Sequence, residues 1–234
     1  MKIEVWSDYV CPFCYIGKRQ LEKAIQDSGY LGQVEVKFKS YLLDPSTPVD
    51  AEDSVYDSLS KKYNMSEQEV KNMTANVAER AKEVGLQYNF DDMKTANTTA
   101  AHRLVKWAEE QGKGAELSER LLKAYFLEGK AIGRADELVA LAKEVGLDEA
   151  QALQVIHSTD YNAEVEQDIY EAQQLGVRGV PFFVVDNKYG ISGAQPQALF
   201  EQTIEKAAQE AGLRRKINMV GQEGAACVDG QCDL

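Results

Sequence analysis

Apolar positions change their period several times along the chain. Ile3, Val5 and Trp6 form a short apolar start that predicts a strand. From about Pro12 to Gln26, Leu21, Ala24 and Ile25 fall at helical spacing, and Ser28-Gly29 supplies a stop. Val34, Val36 and Phe38 then alternate with Glu35, Lys37 and Lys39, the period of a half-exposed strand. The proline-bounded stretch from Asp44 to Pro48 breaks the pattern.

Between Glu52 and Gly176 the pattern predicts amphipathic helices and no strand. Ala101, Leu104, Val105 and Ala108 define one apolar face, and Leu138, Leu141, Ala142 and Val145 another that ends at Gly146. Ile169, Ala172 and Leu175 define a third, ending at Gly176. Strands return at Pro181–Val185 and Tyr189–Ser192, with a turn at Asn187-Lys188, before a helix over about Gln195–Ala211. The order is βαβ, helices, then ββα. It predicts one interrupted α/β domain from residues 1–45 and 177–212, a helical insertion over 46–176, and a tail over 213–234. The Gly-, Gln- and acid-rich stretch from Asn218 reads as loosely ordered.

Composition narrows the function classes. The 234 residues carry a net charge of −12, which argues against the phosphate-directed affinity of sequence-independent nucleic-acid binders. The longest strongly apolar run, Val180–Val185, is far below the ~18 residues of a membrane helix. The first ten residues include Glu4 and Asp8 and no signal-like apolar stretch, so a cytoplasmic location is expected.

Four cysteines fall in two pairs. Cys11-Pro12-Phe13-Cys14 follows a strand and opens a helix, the context in which C-x-x-C points to redox chemistry. Pro12 suits the first helical turn, where its missing N–H has no intrahelical partner to lose. Cys11 then lies at the positive helix end, which stabilises a thiolate, and Cys14 lies one turn on. Cys11 is expected to attack and Cys14 to resolve the mixed disulfide. The competing readings are a zinc half-site and two inert thiols. Zinc wants a second Cys/His pair, for which Cys227 and Cys232, four residues apart in the tail, are poor partners.

Val180-Pro181 opens a buried strand; the proline is either a simple first residue or a cis peptide. Taken together, WSDYVCPFCYIGKRQLE, NTTAAHRL and GVRGVPFFVVDNKYGISGAQ resemble the DsbA-like branch of the thioredoxin superfamily, and FrnE-like proteins within it. The resemblance spans about residues 1–210. It implies a thioredoxin fold interrupted by helices, a cis Val180–Pro181 bond facing Cys11, and thiol–disulfide exchange. It also implies that the Val180 backbone pairs with an extended substrate.

Many DsbA proteins carry His between the cysteines, where this chain has Phe13, so a milder oxidant than DsbA is expected. Phe13 is either an apolar contact for substrate or ordinary packing. His102 is a packed or surface residue by default; resemblance places its helix over the active site, where it would tune Cys11 or relay a proton. Cys227 and Cys232 enclose an Asp-Gly turn signal. Some FrnE-like proteins have such a C-x4-C pair, which implies a second redox couple, against the plain reading of two tail thiols.

Kappa-class glutathione transferases and 2-hydroxychromene-2-carboxylate isomerases also resemble this chain. They usually place Ser where Cys11 stands and an acidic residue in the loop that here reads Gly193-Ala194-Gln195. A third reading is a holdase with incidental cysteines. The reading that best joins these features is a protein-disulfide oxidoreductase or isomerase acting on thiol- or disulfide-containing proteins. It needs no tightly bound cofactor or metal, with glutathione or a thioredoxin-type thiol as the redox partner. Nucleic acid and membrane are not expected partners.

Overall fold

The computed structural model describes residues 1–215, together with the backbone of residues 227–228 and 231–232. Strand β1 (Lys2–Ser7), helix α1 (Pro12–Ser28) and strand β2 (Glu35–Ser40) open the chain. Seven helices follow: α2 (Val55–Tyr63), α3 (Glu67–Lys82), α4 (Thr99–Glu110), α5 (Gly114–Phe126), α6 (Ala135–Glu144), α7 (Glu149–His157) and α8 (Asn162–Gln174). Strands β3 (Phe182–Val185) and β4 (Tyr189–Ser192) and helix α9 (Gln197–Glu210) complete the main body. This is an α/β thioredoxin-type fold carrying a large block of helices between β2 and β3.

The sheet order is β2-β1-β3-β4. β1 and β2 run parallel, with Val5 opposite Phe38, whereas β3 is antiparallel to both β1 and β4. Alternation along β1 sends Ile3 and Val5 to one face, where they pack with Leu21, Ala24 and Ile25 of α1 and Phe200 and Ile204 of α9. Trp6 points to the opposite face, against Ala172 of α8 and Val177. Between β3 and β4, Asp186 and Asn187 both adopt positive φ, 51° and 54°, and Lys188 N–H donates to Val185 O. The turn is therefore centred on Asp186-Asn187, one residue earlier than expected, because two left-handed residues match the twist of the paired strands.

Two helical expectations change. α4 buries Ala101, Leu104, Val105 and Ala108 as expected, but also His102, Arg103, Lys106 and Trp107. It runs through the middle of the helical block, and its polar residues find partners there. The Arg103 guanidinium donates to the carbonyls of Ile156 and Ser158 at the end of α7. In α8 the buried face is Val165, Asp168 and Ala172, while Leu175 is exposed. The phase shifts because Asp168 is drawn inward: its carboxylate accepts from Ser40 N–H at 2.8 Å and Lys106 Nζ at 2.6 Å, and lies 3.3 Å from Lys39 Nζ.

The tail is described only in part. β5 (Cys227–Val228) pairs antiparallel with β6 (Gln231–Cys232), which puts Cys227 opposite Cys232. The expectation of a loosely ordered stretch from Asn218 otherwise lies outside the described residues.

Candidate active site

The segment between β1 and α1 sets the site. Cys11 is the N-cap of α1, with extended φ and ψ of −90° and 111°, and Pro12 is the first helical residue. No side chain caps this end, so the first-turn N–H groups and the positive end of α1 lie at the Cys11 position. Backbone bonds fix the turn: Cys11 N–H donates to Asp8 O at 3.2 Å, and Cys14 N–H donates to Cys11 O at 3.0 Å.

Both cysteines are present as thiols and both are buried, Cys11 at 4% exposure and Cys14 at 2%. The Val180–Pro181 peptide bond is cis, and Cys11 Sγ lies 3.4 Å from the Val180 carbonyl oxygen. α1 approaches this loop closely through Gly17, where a Cβ atom would stand 3.0 Å from the Phe183 ring and 3.1 Å from the Pro181 ring. Burial pushes the Cys14 thiol well above its ordinary pKa, and hydrogen bonding and charge at Cys11 push the same way. Ser7 and the Asp8 backbone oppose that shift by hydrogen bonding to the Cys14 sulfur. Cys11, unlike Cys14, is among the residues that line the cavity beside the turn.

Phe13 is half-buried against the helical core. The Arg80 guanidinium lies 5.1 Å from its ring centre and donates to the Ala194 carbonyl at 3.2 Å. α3 thereby reaches across Phe13 to the loop after β4. Tyr88 fixes the other side, donating to the Pro12 carbonyl at 2.7 Å and stacking on Phe126 at 4.7 Å.

His102 lies inside the protein, 4% exposed, with Nε2 3.3 Å from Asp8 Oδ1 and its ring 4.7 Å from that of Tyr9. Its described contacts lead to Asp8 and Tyr9, not to either sulfur. Asp8 was not legible as a site residue in the sequence. Its carboxylate accepts from Leu43 N–H at 2.8 Å and Thr98 Oγ1 at 2.7 Å, and its backbone touches both cysteines. Only its place three residues before Cys11 hinted at this.

Beside Cys11 lies a cavity of about 380 Å³, mostly apolar, between the active-site turn and the α2–α3 pair. Among the described residues no group of three or more His, Cys, Asp or Glu is placed to hold a metal ion, and no helix is long and apolar enough to cross a membrane. Cys227 and Cys232 face each other in backbone register, and their side chains lie outside the described residues.

Comparison with known proteins agrees with this fold. The family model of the DSBA-like thioredoxin domain matches residues 2–205. YwbO of Bacillus subtilis strain 168 is 34% identical over 204 residues, covering 86% of this chain and 94% of YwbO. A crystal structure described as a probable DsbA oxidoreductase from Streptomyces coelicolor is 35% identical, with a TM-score of 0.85 over 100% of this chain and 99% of that one. A 2-hydroxychromene-2-carboxylate isomerase is 16% identical, with a TM-score of 0.66 over 91% of this chain and 98% of that one, a likeness of fold. The match over nearly the whole main body establishes that this chain belongs to the DsbA-like thioredoxin-domain family.

Proposed function

We propose that this protein catalyses thiol–disulfide exchange on protein substrates through Cys11 and Cys14. The observation that carries the reading is the position of Cys11, which caps the positive end of α1 with its sulfur against the Val180 carbonyl, one turn from a buried second thiol. The backbone beside Pro181 offers an edge on which an extended substrate can pair, which brings its disulfide to Cys11 rather than to Cys14.

In the reducing direction the Cys11 thiolate attacks one sulfur of the substrate disulfide. A Cys11–substrate disulfide forms, the substrate S–S bond breaks, and the leaving thiolate takes up a proton. Cys14 then loses its proton and attacks the Cys11 sulfur, releasing the second substrate thiol and leaving Cys11–Cys14 oxidised. Two electrons pass to the substrate. Two glutathione thiols, which leave as glutathione disulfide, or one thioredoxin-type dithiol, which leaves as its own disulfide, return them to the protein. Oxidation of a substrate dithiol is the same sequence reversed, and isomerisation is attack and departure of Cys11 before Cys14 acts. The protein works in the cytoplasm in this reading, and the facing Cys227 and Cys232 form a second couple that exchanges electrons with the first.

The glutathione-dependent isomerase reading shares the fold, but a cysteine pair at residues 11 and 14 and the uncharged Gly193-Ala194-Gln195 loop favour exchange. The test is reduction of a model protein disulfide by excess dithiothreitol. Catalysed turnover is expected from the intact protein and none above background from Cys11→Ser. Equal turnover by both would overturn the proposal, and glutathione-dependent isomerisation or conjugation without any disulfide turnover would favour the glutathione-dependent isomerase or transferase reading.

A further inference from the structure

A cation stands over the active-site turn without a counter-charge. Arg80 lies in the last turn of α3, where a basic side chain suits the negative end of the helix. Its guanidinium is solvent-exposed, yet two contacts fix it in place, the Phe13 ring at 5.1 Å and the Ala194 carbonyl at 3.2 Å. The carboxylate beside it in sequence, Glu79, pairs instead with Lys82 at 2.7 Å. Among the described residues Arg80 has no ion pair, although the chain carries 38 acidic residues against 26 basic ones. The loop that it touches leads to the edge on which a substrate pairs. Gly193 N–H donates to the Pro181 carbonyl at 2.8 Å, and across the cis bond the Val180 carbonyl lies 3.4 Å from Cys11 Sγ. Arg178, also exposed and without an ion pair among the described residues, stands two residues before Val180.

Resting on the exchange reading above, we propose that Arg80 is a specificity-determining anchor for a carboxylate carried close to the reactive sulfur of the incoming thiol or disulfide. The ring contact and the carbonyl bond set the plane of the guanidinium beforehand, so it loses little freedom when its remaining N–H donors take up a carboxylate. Phe13, on which it rests, lies between the two cysteines in sequence, so the charge is presented at the turn that holds both sulfurs. The molecule as a whole, at −12, repels anions, and a fixed local cation offsets that repulsion where the substrate docks. An extended chain advances about 3.3 Å per residue. A carboxylate one residue from the cysteine therefore remains beside the turn. Two substrates carry this chemistry: glutathione, whose terminal carboxylate follows its cysteine by one residue, and a polypeptide with Asp or Glu next to a cysteine. A lysine in that place meets Arg80 with like charge and is disfavoured.

The test uses peptides with one internal disulfide that differ only in the residues flanking one cysteine, carrying Glu, Gln or Lys. Dithiothreitol supplies the electrons, and kcat/KM for each peptide is divided by its uncatalysed rate. Binding of the reduced peptides to Cys11→Ser protein is measured separately by fluorescence anisotropy. At low salt the Glu peptide is expected to exceed the Lys peptide by about 10-fold, and the contrast to shrink at about 0.5 M salt. Arg80→Gln is expected to narrow it to about twofold, and Arg80→Glu to invert it, a result that loss of a merely structural contact does not give. Thermal melting reports whether each variant is folded. Glutathione disulfide and its glycine ethyl ester form the second arm. A preference for the free acid that disappears in Arg80→Gln supports the anchor with glutathione as its source, and a contrast confined to the peptides supports it with a polypeptide as its source. Equal corrected kcat/KM in both arms, or unchanged contrasts in both folded Arg80 variants, would overturn the anchor and leave the exchange reading in place. Glu-selective binding without turnover of any substrate would support the anchor and overturn the exchange reading.

Discussion

At the residue scale the two sulfurs are made unequal by where they sit. Cys11 is held at the positive helix end, and Cys14, one turn on, has its thiol form favoured by burial. The resolving attack needs the Cys14 thiolate, so its rate is expected to rise about tenfold per pH unit from neutrality into the alkaline range. Rapid-mixing decay of a Cys11–peptide disulfide checks this, and a flat profile between pH 6 and about 9 contradicts it. Asp8 is the residue on which the site geometry depends most. Asp8→Ala removes the acceptor shared by Leu43 N–H, Thr98 Oγ1 and His102. Unpaired buried donors cost about 1–3 kcal/mol each, so urea unfolding is expected to show a loss of about 3 kcal/mol or more. This network was invisible in the sequence. The C-x-x-C spacing and the Val-Pro step announce themselves locally, whereas Asp8, Thr98 and His102 meet across some ninety positions and carry no spacing rule.

Among the elements, most strands and helices followed from periodicity, although on β2 the alternation stops at Lys39, which is buried rather than exposed because Asp168 and Glu171 draw its ammonium inward. Val36 and Phe38 on β2, or Leu138 and Leu141 on α6, sit where the pattern puts them. The failures come where polar groups override the apolar pattern. α4 is buried all round because His102, Arg103 and Lys106 find partners in other elements, and α8 turns to bring Asp168 to Lys39, Lys106 and the Ser40 N–H. That carboxylate ties β2, α4 and α8 together, and the Trp6 indole adds a 2.7 Å bond to the Asp168 carbonyl. Asp168→Leu would take the close carboxylate from buried Lys106 and the acceptor from Ser40 N–H, while Lys39 keeps Glu171, an expected loss of about 3 kcal/mol in denaturant unfolding. The close approach of α1 to the sheet gives a second expectation. Gly17→Val places branched carbon against the Phe183 and Pro181 rings, and a loss of about 1–3 kcal/mol from overpacking is expected, together with slower exchange because α1 carries both cysteines.

For the whole molecule, the burial that positions the dithiol also shapes stability against pH. Tyr9 and Tyr125 lie within the helical core, and burial first, with nearby carboxylates, raises both phenols above their ordinary value. In the unfolded chain they ionise near pH 10. Above that pH the unfolded state has lost protons that the folded state retains, so stability falls as pH rises, by up to about 1.4 kcal/mol per pH unit for each tyrosine. Thermal melting between pH 8 and about 11 is expected to show this decline, reduced in Tyr125→Phe. The central claim concerns Cys11, and one experiment reaches it most directly. A Cys14→Ser variant cannot resolve, so incubation with an oxidised model protein is expected to leave a covalent adduct, which peptide mass mapping assigns to Cys11 and excess thiol reverses. An adduct confined to Cys227 or Cys232, or none at all from folded protein, would contradict the account.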